Sequence, residues 1–212
     1  MSGPQLPDGV GFTLAVPPSW WEFDVDPLTR EFALERMLER QVRDVPELRA
    51  HRTALSRLLR EQAETAWQAG TSFCATMVEP TEDGPITASV AVLVVPAPIV
   101  ASGGVQALLA PLAPIARTDP DGPWRTVELV EVPGAGQAGR SYGVHDVELP
   151  GGAGQVRMVS MQTLVPLPAA RVLVLTCSSP VLPLADELLE LFEAVSSTLE
   201  VVVDAPQHVG AS

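Results

Sequence analysis

The sequence predicts an α+β fold, an antiparallel β-sheet meander flanked by helices with an αα-hairpin inserted near its N-terminus. Three observations carry that prediction. Apolar residues recur at helical spacing between Asp26 and Ala69, and from Thr71 onward the period changes to two, the signature of strands. The strand-like runs are joined by glycine- and proline-rich clusters with no helix between most of them, which implies antiparallel neighbours. The last long run, Leu184, Leu188, Leu191, Phe192, Val195 and Leu199, returns to helical spacing and leaves Asp186, Glu187, Glu190 and Glu193 off the stripe.

Taken in order, Phe12 to Val16 reads as a first strand, broken by Pro17-Pro18 because proline cannot donate to a ladder. Asp26-Pro27 starts a helix, with Asp26 as N-cap and Pro27 at the first helical position, where its missing N–H costs nothing. Leu34, Leu38 and Val42 carry that helix to about Val42. A second helix runs from about Pro46 to Ala69 on Leu48, Leu55, Leu59, Ala63 and Ala66, with Gly70 as its stop. Strands follow over Ser72 to Glu79, Pro85 to Val95, Trp124 to Val132, Ala138 to Leu149, Gln155 to Val165 and Val172 to Ser178. Their joints are Glu82-Asp83-Gly84-Pro85, Pro133-Gly134-Ala135-Gly136 and Pro150-Gly151-Gly152-Ala153-Gly154. A short helix is expected around Gly104 to Ala116, and the tail after Val203 has nothing to bury.

A chain of 212 residues with 46% hydrophobic and 18% charged residues has room for one core, so residues 1–204 are expected to form a single domain, with 205–212 loose. No apolar run approaches the roughly 18 residues of a membrane span. The net charge is −13, and all 13 bases are arginine, since the sequence has no lysine and no asparagine. That avoidance, with 21 prolines, points to a high-GC bacterial genome. Residues 1–70 hold 11 acids and 8 arginines, whereas residues 71–212 hold 15 acids and 5 arginines. A nucleic-acid partner is excluded on this balance, because affinity for phosphates needs a basic surface, and an anionic membrane surface is disfavoured for the same reason. Cys74 and Cys177 lie in apolar runs without a ligand spacing and read as buried, reduced thiols. The N-terminal MSGPQLPDG has neither a basic segment nor an apolar one, so a cytoplasmic location is expected.

The opening F-T-L-A-V-P-P-S-W, a strand ending in a proline-then-tryptophan step, and the closing V-L-V-L-T-C-S-S-P-V-L-P-L-A-D-E-L-L-E-L-F-E-A-V-S-S-T-L together resemble the PsbP-like superfamily. This superfamily takes in photosystem PsbP proteins, a Ran-binding import factor, and LpqN-type and DcrB-type bacterial proteins. The resemblance covers the two ends, roughly a third of the chain. It implies an α/β/α sandwich and no residue-by-residue function. The hairpin from Asp26 to Ala69 is longer than the resemblance leads one to expect, and a lipoprotein signal is lacking.

Several motifs could carry chemistry. Gly139-Arg140-Ser141-Tyr142-Gly143 matches the G-x-S-x-G elbow of serine hydrolases, with His145 and Asp146 close behind. An elbow needs a sharp strand-to-helix turn, whereas Val144 to Leu149 alternates as a strand, on which His145 would lie roughly 13 Å from Ser141. Gly134-x-Gly136-x-x-Gly139 matches a dinucleotide fingerprint but opens a strand rather than a helix, so a hairpin turn is expected. Asp119-Pro120-Asp121-Gly122 lacks the further ligands of a calcium loop and reads as a type I turn. Tyr142-x-x-x-Asp146 resembles a type VII secretion signal but falls within a strand instead of after a helical hairpin. His51, His145 and His208 are isolated from one another, so no metal and no cofactor is expected.

The arginines give the sharper reading. Seven of the thirteen lie between Arg36 and Arg60, interleaved with acids along the hairpin. A solvated, salt-bridged face explains that pattern, and so does a docking surface, since arginine pairs bidentately with carboxylates and is enriched at interfaces. The candidate partner-binding residues are Arg36, Arg40, Arg43, Arg49 and Arg52, joined by Trp20 and Trp21, of which one should be exposed as an anchor. The chain is therefore expected to be a non-catalytic protein-interaction or adaptor module, accessory to a larger assembly such as a secretion system. Its partner is an acidic protein or a second copy. The alternatives are a binding protein for a small apolar ligand and, last, a serine hydrolase using Ser141.

Overall fold

The computed structural model describes residues 6–23, 25–44, 49, 52–79, 81, 86–119, 122–148 and 154–203. The period-two part of the chain forms most of an open seven-stranded antiparallel sheet. In chain order the strands and helices are β1 (Val10–Thr13), β2 (Trp21–Phe23), α1 (Arg30–Asp44), α2 (Arg52–Ala69), β3 (Thr71–Glu79), β4 (Ile86–Pro96) and α3 (Val100–Leu109). They continue with β5 (Trp124–Val132), β6 (Gly136–Glu148), β7 (Gln155–Leu167), β8 (Arg171–Ser179), α4 (Ala185–Ser196) and β9 (Glu200–Val203). The fold is α+β, as the alternation predicts.

The sheet order is β2-β3-β4-β8-β7-β6-β5, so it is two meanders joined where β8 returns to β4, rather than one continuous meander. The strand expected at Phe12 to Val16 lies earlier, at Val10–Thr13, and stays out of this sheet: β1 pairs with β9 in a separate two-stranded ribbon. Strand β9 was not anticipated, because its four residues follow the final helix too closely to show a period of their own.

One face of the sheet is apolar. Val90, Val92 and Val94 of β4, Leu173, Leu175 and Cys177 of β8, and Val159, Met161 and Val165 of β7 are all buried in one cluster with Leu188, Phe192 and Val195 of α4. Phe192 is fully buried, and removing such a ring to alanine costs roughly 3–5 kcal/mol. Helix α4 is placed by its stripe, and its acids face water as the spacing predicts: Asp186, Glu187, Glu190 and Glu193 are exposed. Helix α3 lies on the opposite face. A Cβ on Gly139 of β6 would stand 2.5 Å from the Leu109 side chain of α3, whereas its neighbour Arg140 bonds Ser196 of α4, and adjacent strand residues point to opposite faces.

The helix expected at Gly104 to Ala116 is α3, which begins four residues earlier and ends before Pro111. Gly104 is no helix start but a kink inside it, at φ +56°. The first helix of the hairpin begins at Arg30, one turn after Asp26. Asp26 does cap that turn, its Oδ1 accepting the Leu28 N–H at 2.9 Å. The second helix is described from Arg52, and Arg49 lies in a 3₁₀ turn. Pro46, Leu48 and His51 lie outside the described residues, as do the joints at 82–85 and 150–153 and the tail with His208.

The hairpin turn after β5 explains the Gly134–Gly139 motif. Ala135 N–H bonds Val132 O at 3.0 Å, and Val201 of β9 donates to Pro133 O at 2.9 Å, bringing the ribbon onto the turn. Gly134 has φ +77°, and a Cβ there would stand 1.7 Å from Val201 O; Gly136 has φ +78° with nothing within 4 Å. Gly136→Ala should therefore cost only the left-handed backbone penalty, about 1 kcal/mol, and Gly134→Ala on the order of 2 kcal/mol more, as read from urea denaturation midpoints. Equal losses in the two variants would show that β9 does not seat on this turn.

Candidate functional site

The residues singled out from the sequence come from three separate segments, and the fold gathers them along α1. Trp20 is buried, Trp21 starts the edge strand β2, and both line a cleft with Pro18, Glu22, Arg36 and Met37. The cleft has a volume of about 410 Å³. Trp20, just before the strand, is buried and Trp21 is half-buried, so in place of the one exposed anchor expected, both indoles border the same cleft. Farther along α1, Arg43 meets Arg49 and Arg52 with Glu39 around a second cleft of about 270 Å³. The side chain of Arg40 lies outside the described residues.

Two arginines that were not singled out do the structural work of the hairpin. Arg60 of α2 bonds Glu31 of α1 at 2.7 Å, and Arg30 of α1 pairs with Glu64 of α2. The Arg30 hydrogen bond, followed by that of Gln68, holds the Glu64 carboxyl below its usual range. Leu34 and Leu38 of α1 and Ala63 of α2 are buried. Arg36, Arg43, Arg49 and Arg52 are exposed and form no ion pair among the described residues. Arg36 instead stands 5.6 Å over the Phe32 ring. Phe32 is 68% exposed and Leu28, one turn before it, 92% exposed, so the start of α1 offers apolar surface next to cationic surface. The salt-bridged face and the unpaired arginines are thus different residues of one hairpin.

The catalytic motifs do not assemble. Gly139 to Gly143 runs through the middle of β6, with Ser141 buried between Val127 of β5 and Gln162 of β7. His145 lies four residues farther along the same strand and has both ring nitrogens 3.3 Å from Ser160 Oγ. Asp146 is held by Arg157, directly opposite on β7, in a bidentate pair at 2.7 and 2.9 Å. The Tyr142-x-x-x-Asp146 match is therefore one strand whose acid is spent on a cross-strand pair. Asp119 O accepts the Gly122 N–H at 3.2 Å, closing a turn as expected. Gly143, at φ +149°, is glycine because a Cβ would stand 2.1 Å from Trp124 O. No group of three or more potential metal ligands occurs among the described residues.

A third cleft, of about 250 Å³, escaped the sequence reading. It lies between α4 and the β5 edge and contains Arg140, a nine-tenths buried arginine in the middle of β6. Arg140 Nη2 donates to Ser196 Oγ at 3.2 Å, while its Nε and the Trp124 Nε1 have no acceptor among the described residues. A lone arginine in a strand between Ala138 and Tyr142, on the face that packs against the last helix, was the available signal. All three clefts carry charged side chains, which does not favour a purely apolar ligand.

The two thiols lie on opposite sheet faces, Cys177 beside Val90 and Cys74 beside Ala91. Burial pushes the Cys74 thiol up to about 11 and the Cys177 thiol up to about 12. Neither should react with Ellman's reagent at about pH 8 until the protein is unfolded, since the thiolate is the nucleophile. His145 is held below its usual 6.5, first by burial and then by the nearby Arg125 charge, against the opposing pull of Asp146. The unfolded chain therefore takes up that proton first. Wild-type stability should fall, relative to His145→Gln, as the pH drops below 6.5 and through the lowered folded value. Parallel urea midpoints for the two proteins across that range would remove His145 from the account.

No protein-family model matches the chain, and no curated protein matches it. Among solved structures it is similar to LpqN of Mycobacterium tuberculosis, described as involved in cell envelope biogenesis, at 11% identity and a TM-score of 0.48, covering 92% of this chain and 86% of that one.

Proposed function

We propose that the protein is a non-catalytic interaction module of PsbP-like architecture. In this reading it acts in the cytoplasm as an adaptor for a larger assembly such as a secretion system, and binds an acidic segment of a partner protein along α1. The observation that supports this most is the convergence of Trp20, Trp21 and Arg36 on one cleft and of Arg43, Arg49 and Arg52 on the next. These guanidinium groups, in no ion pair among the described residues, supply charge and bidentate donors for carboxylates. The indoles, with Leu28 and Phe32, supply the apolar anchors that carry most of the energy at interfaces.

The absence of chemistry at Ser141 belongs to the same proposal. A serine held between two ladder partners has no turn to lift it, and His145 lies four residues along the same strand against Ser160. A fluorophosphonate probe should leave the protein unlabelled, and labelling that disappears in Ser141→Ala would overturn the non-catalytic reading.

The docking surface is tested with a fluorescein-labelled decapeptide alternating Glu and Leu, and with its Lys-Leu counterpart. The acidic peptide should bind, more weakly as salt is raised, and the basic one should not bind at α1. The triple variant Arg43→Glu, Arg49→Glu, Arg52→Glu should weaken the acidic peptide by about tenfold or more, and Trp21→Ala should raise its dissociation rate. Affinity unchanged by the charge reversal, in a variant whose circular dichroism shows it folded, would sink the proposal.

A further inference from the structure

The opposite end of the sheet carries a second surface with inverted charge. Strand β5 is the outer strand on that side, and among the described residues only Ile115 pairs with it from outside. Ile115 N–H donates to Arg125 O and Arg125 N–H donates to Ile115 O, each at 2.9 Å. In an antiparallel ladder, residues at a spacing of two turn their backbone groups to the same side. The N–H and C=O groups of Val127, Leu129 and Glu131 therefore point outward like those of Arg125, and they have no backbone partner among the described residues. Pro111 and Pro114 precede Ile115, so the chain's own strap pairs at one residue and goes no farther along the edge.

The cleft beside this edge is acidic. Glu128 of β5 and Asp186, Glu190 and Glu193 of α4 surround Arg140, whose Nη1 stands 3.7 Å from both Glu128 and Glu193, beyond hydrogen-bond reach. Arg140 Nε and Trp124 Nε1 are buried donors with no acceptor among the described residues, and a guanidinium, itself only a donor, does not serve them; the selection for basic groups comes from the carboxylates. The strap shows what kind of group the cleft takes. Two residues beyond the Ile115 pairing, Arg117 lies 5.1 Å over the Trp124 ring and bonds Asp186 at 3.0 Å. An extended segment that pairs with β5 and sets an arginine between an indole and a carboxylate is thus already present in the chain, for the length of one pairing. Glu190 and Glu193 extend the same acid row along α4.

We propose that the outer edge of β5, with the acidic cleft between it and α4, receives an extended, arginine-bearing segment of a partner protein, which adds to the sheet as a further strand. Main-chain bonds to Val127, Leu129 and Glu131 supply the docking geometry, and alternate side chains entering the cleft supply the selection for basic residues. The proposal does not depend on the hairpin surface and assigns it no part in this binding.

A fluorescein-labelled peptide of four Arg-Val repeats, which places every arginine on one face, tests it by fluorescence anisotropy on the full chain. On the hairpin variant Arg43→Glu, Arg49→Glu, Arg52→Glu, which removes the acidic-peptide site, it should bind where the Glu-Val counterpart does not. Glu190→Gln with Glu193→Gln should weaken it by about tenfold, and Arg117→Ala, which frees the mouth of the cleft, should strengthen it several-fold. Val127→Pro removes an outward N–H and no sheet bond, and should abolish binding. The same peptide N-methylated on alternate amides should fail against the wild-type protein, a check that needs no variant to fold. The triple charge reversal on the hairpin should leave binding intact. Binding that survives both N-methylation and Val127→Pro would be plain adhesion to an acidic surface and would overturn the proposal. So would an edge-to-edge dimer that Val127→Pro dissolves while no peptide binds, since the occupant would then be a second copy.

Discussion

The pairing of β4 with β8 holds the rest of the structure in place. It joins residues about 80 positions apart in the chain and turns two separate meanders into one sheet. On one face it sets Val90, Val92 and Val94 beside Leu173, Leu175 and Cys177, a surface wide enough to need a cover. Helix α4 is that cover, because its apolar stripe is the length of chain that follows β8 directly, through a 3₁₀ turn at Leu182–Leu184. Ser179 binds the joint at one end, donating to Thr87 O at 2.6 Å and accepting from the Val181 N–H. The distribution of charge over the molecule follows from the burial of this face. A helix that spends one stripe on the core puts its remaining residues in water, and in α4 those residues are acids.

The polarity of the surface is therefore a consequence of packing. At one side of the sheet the hairpin of α1 and α2 uses Arg30, Glu31, Arg60 and Glu64 to hold itself together and leaves Arg36, Arg43, Arg49 and Arg52 exposed, in no ion pair among the described residues. At the far side, β5 and α4 enclose an acidic cleft around Arg140. Arg140 belongs to a small buried polar set, Arg140, Ser196 and Thr163, in which Ser196 Oγ lies 2.9 Å from Thr163 Oγ1. A buried charge is tolerated only with partners around it, and the carboxylates of Glu128 and Glu193 at 3.7 Å are the nearest the structure provides. The cleft and the net negative charge of the C-terminal two thirds are thus linked: the arginine at its floor needs acid nearby.

The candidate site was legible in part. Arg36, Arg43, Arg49 and Arg52 were visible because a lysine-free chain concentrates its arginines in one helical stretch, and helical spacing says which of them are neighbours. Nothing local, however, distinguishes Arg30 and Arg60, which staple the hairpin, from Arg43 and Arg52, which do not; that depends on which carboxylate of the other helix comes opposite. Arg140 was passed over inside a catalytic-looking motif. Its neighbour Gly139 makes room for Leu109 of α3, and Gly143 for the Trp124 carbonyl. Gly134, Gly139 and Gly143 of the apparent nucleophile elbow and dinucleotide fingerprint are explained by close approach of other elements and Gly136 by its left-handed turn conformation, which a motif pattern cannot distinguish from chemistry.

By itself the sequence determined the class of the fold, most of its strands, the inward stripe of α4 and the excess of acid after residue 70, because hydrophobic period and charge are local properties that each segment carries with it. It also determined that the glycine motif at Gly134 to Gly139 is a turn, since the segment after it alternates as a strand. Only the tertiary structure decided that β8 lies against β4, that β1 leaves the main sheet for β9, and that Trp20 and Trp21 meet Arg36 in one cleft while Trp124 meets Arg117 in another. Each of these is a choice among partners distant in the chain. That choice is made by which faces bury together and which backbone edges remain to be paired, and it has no signature in the spacing of neighbouring residues.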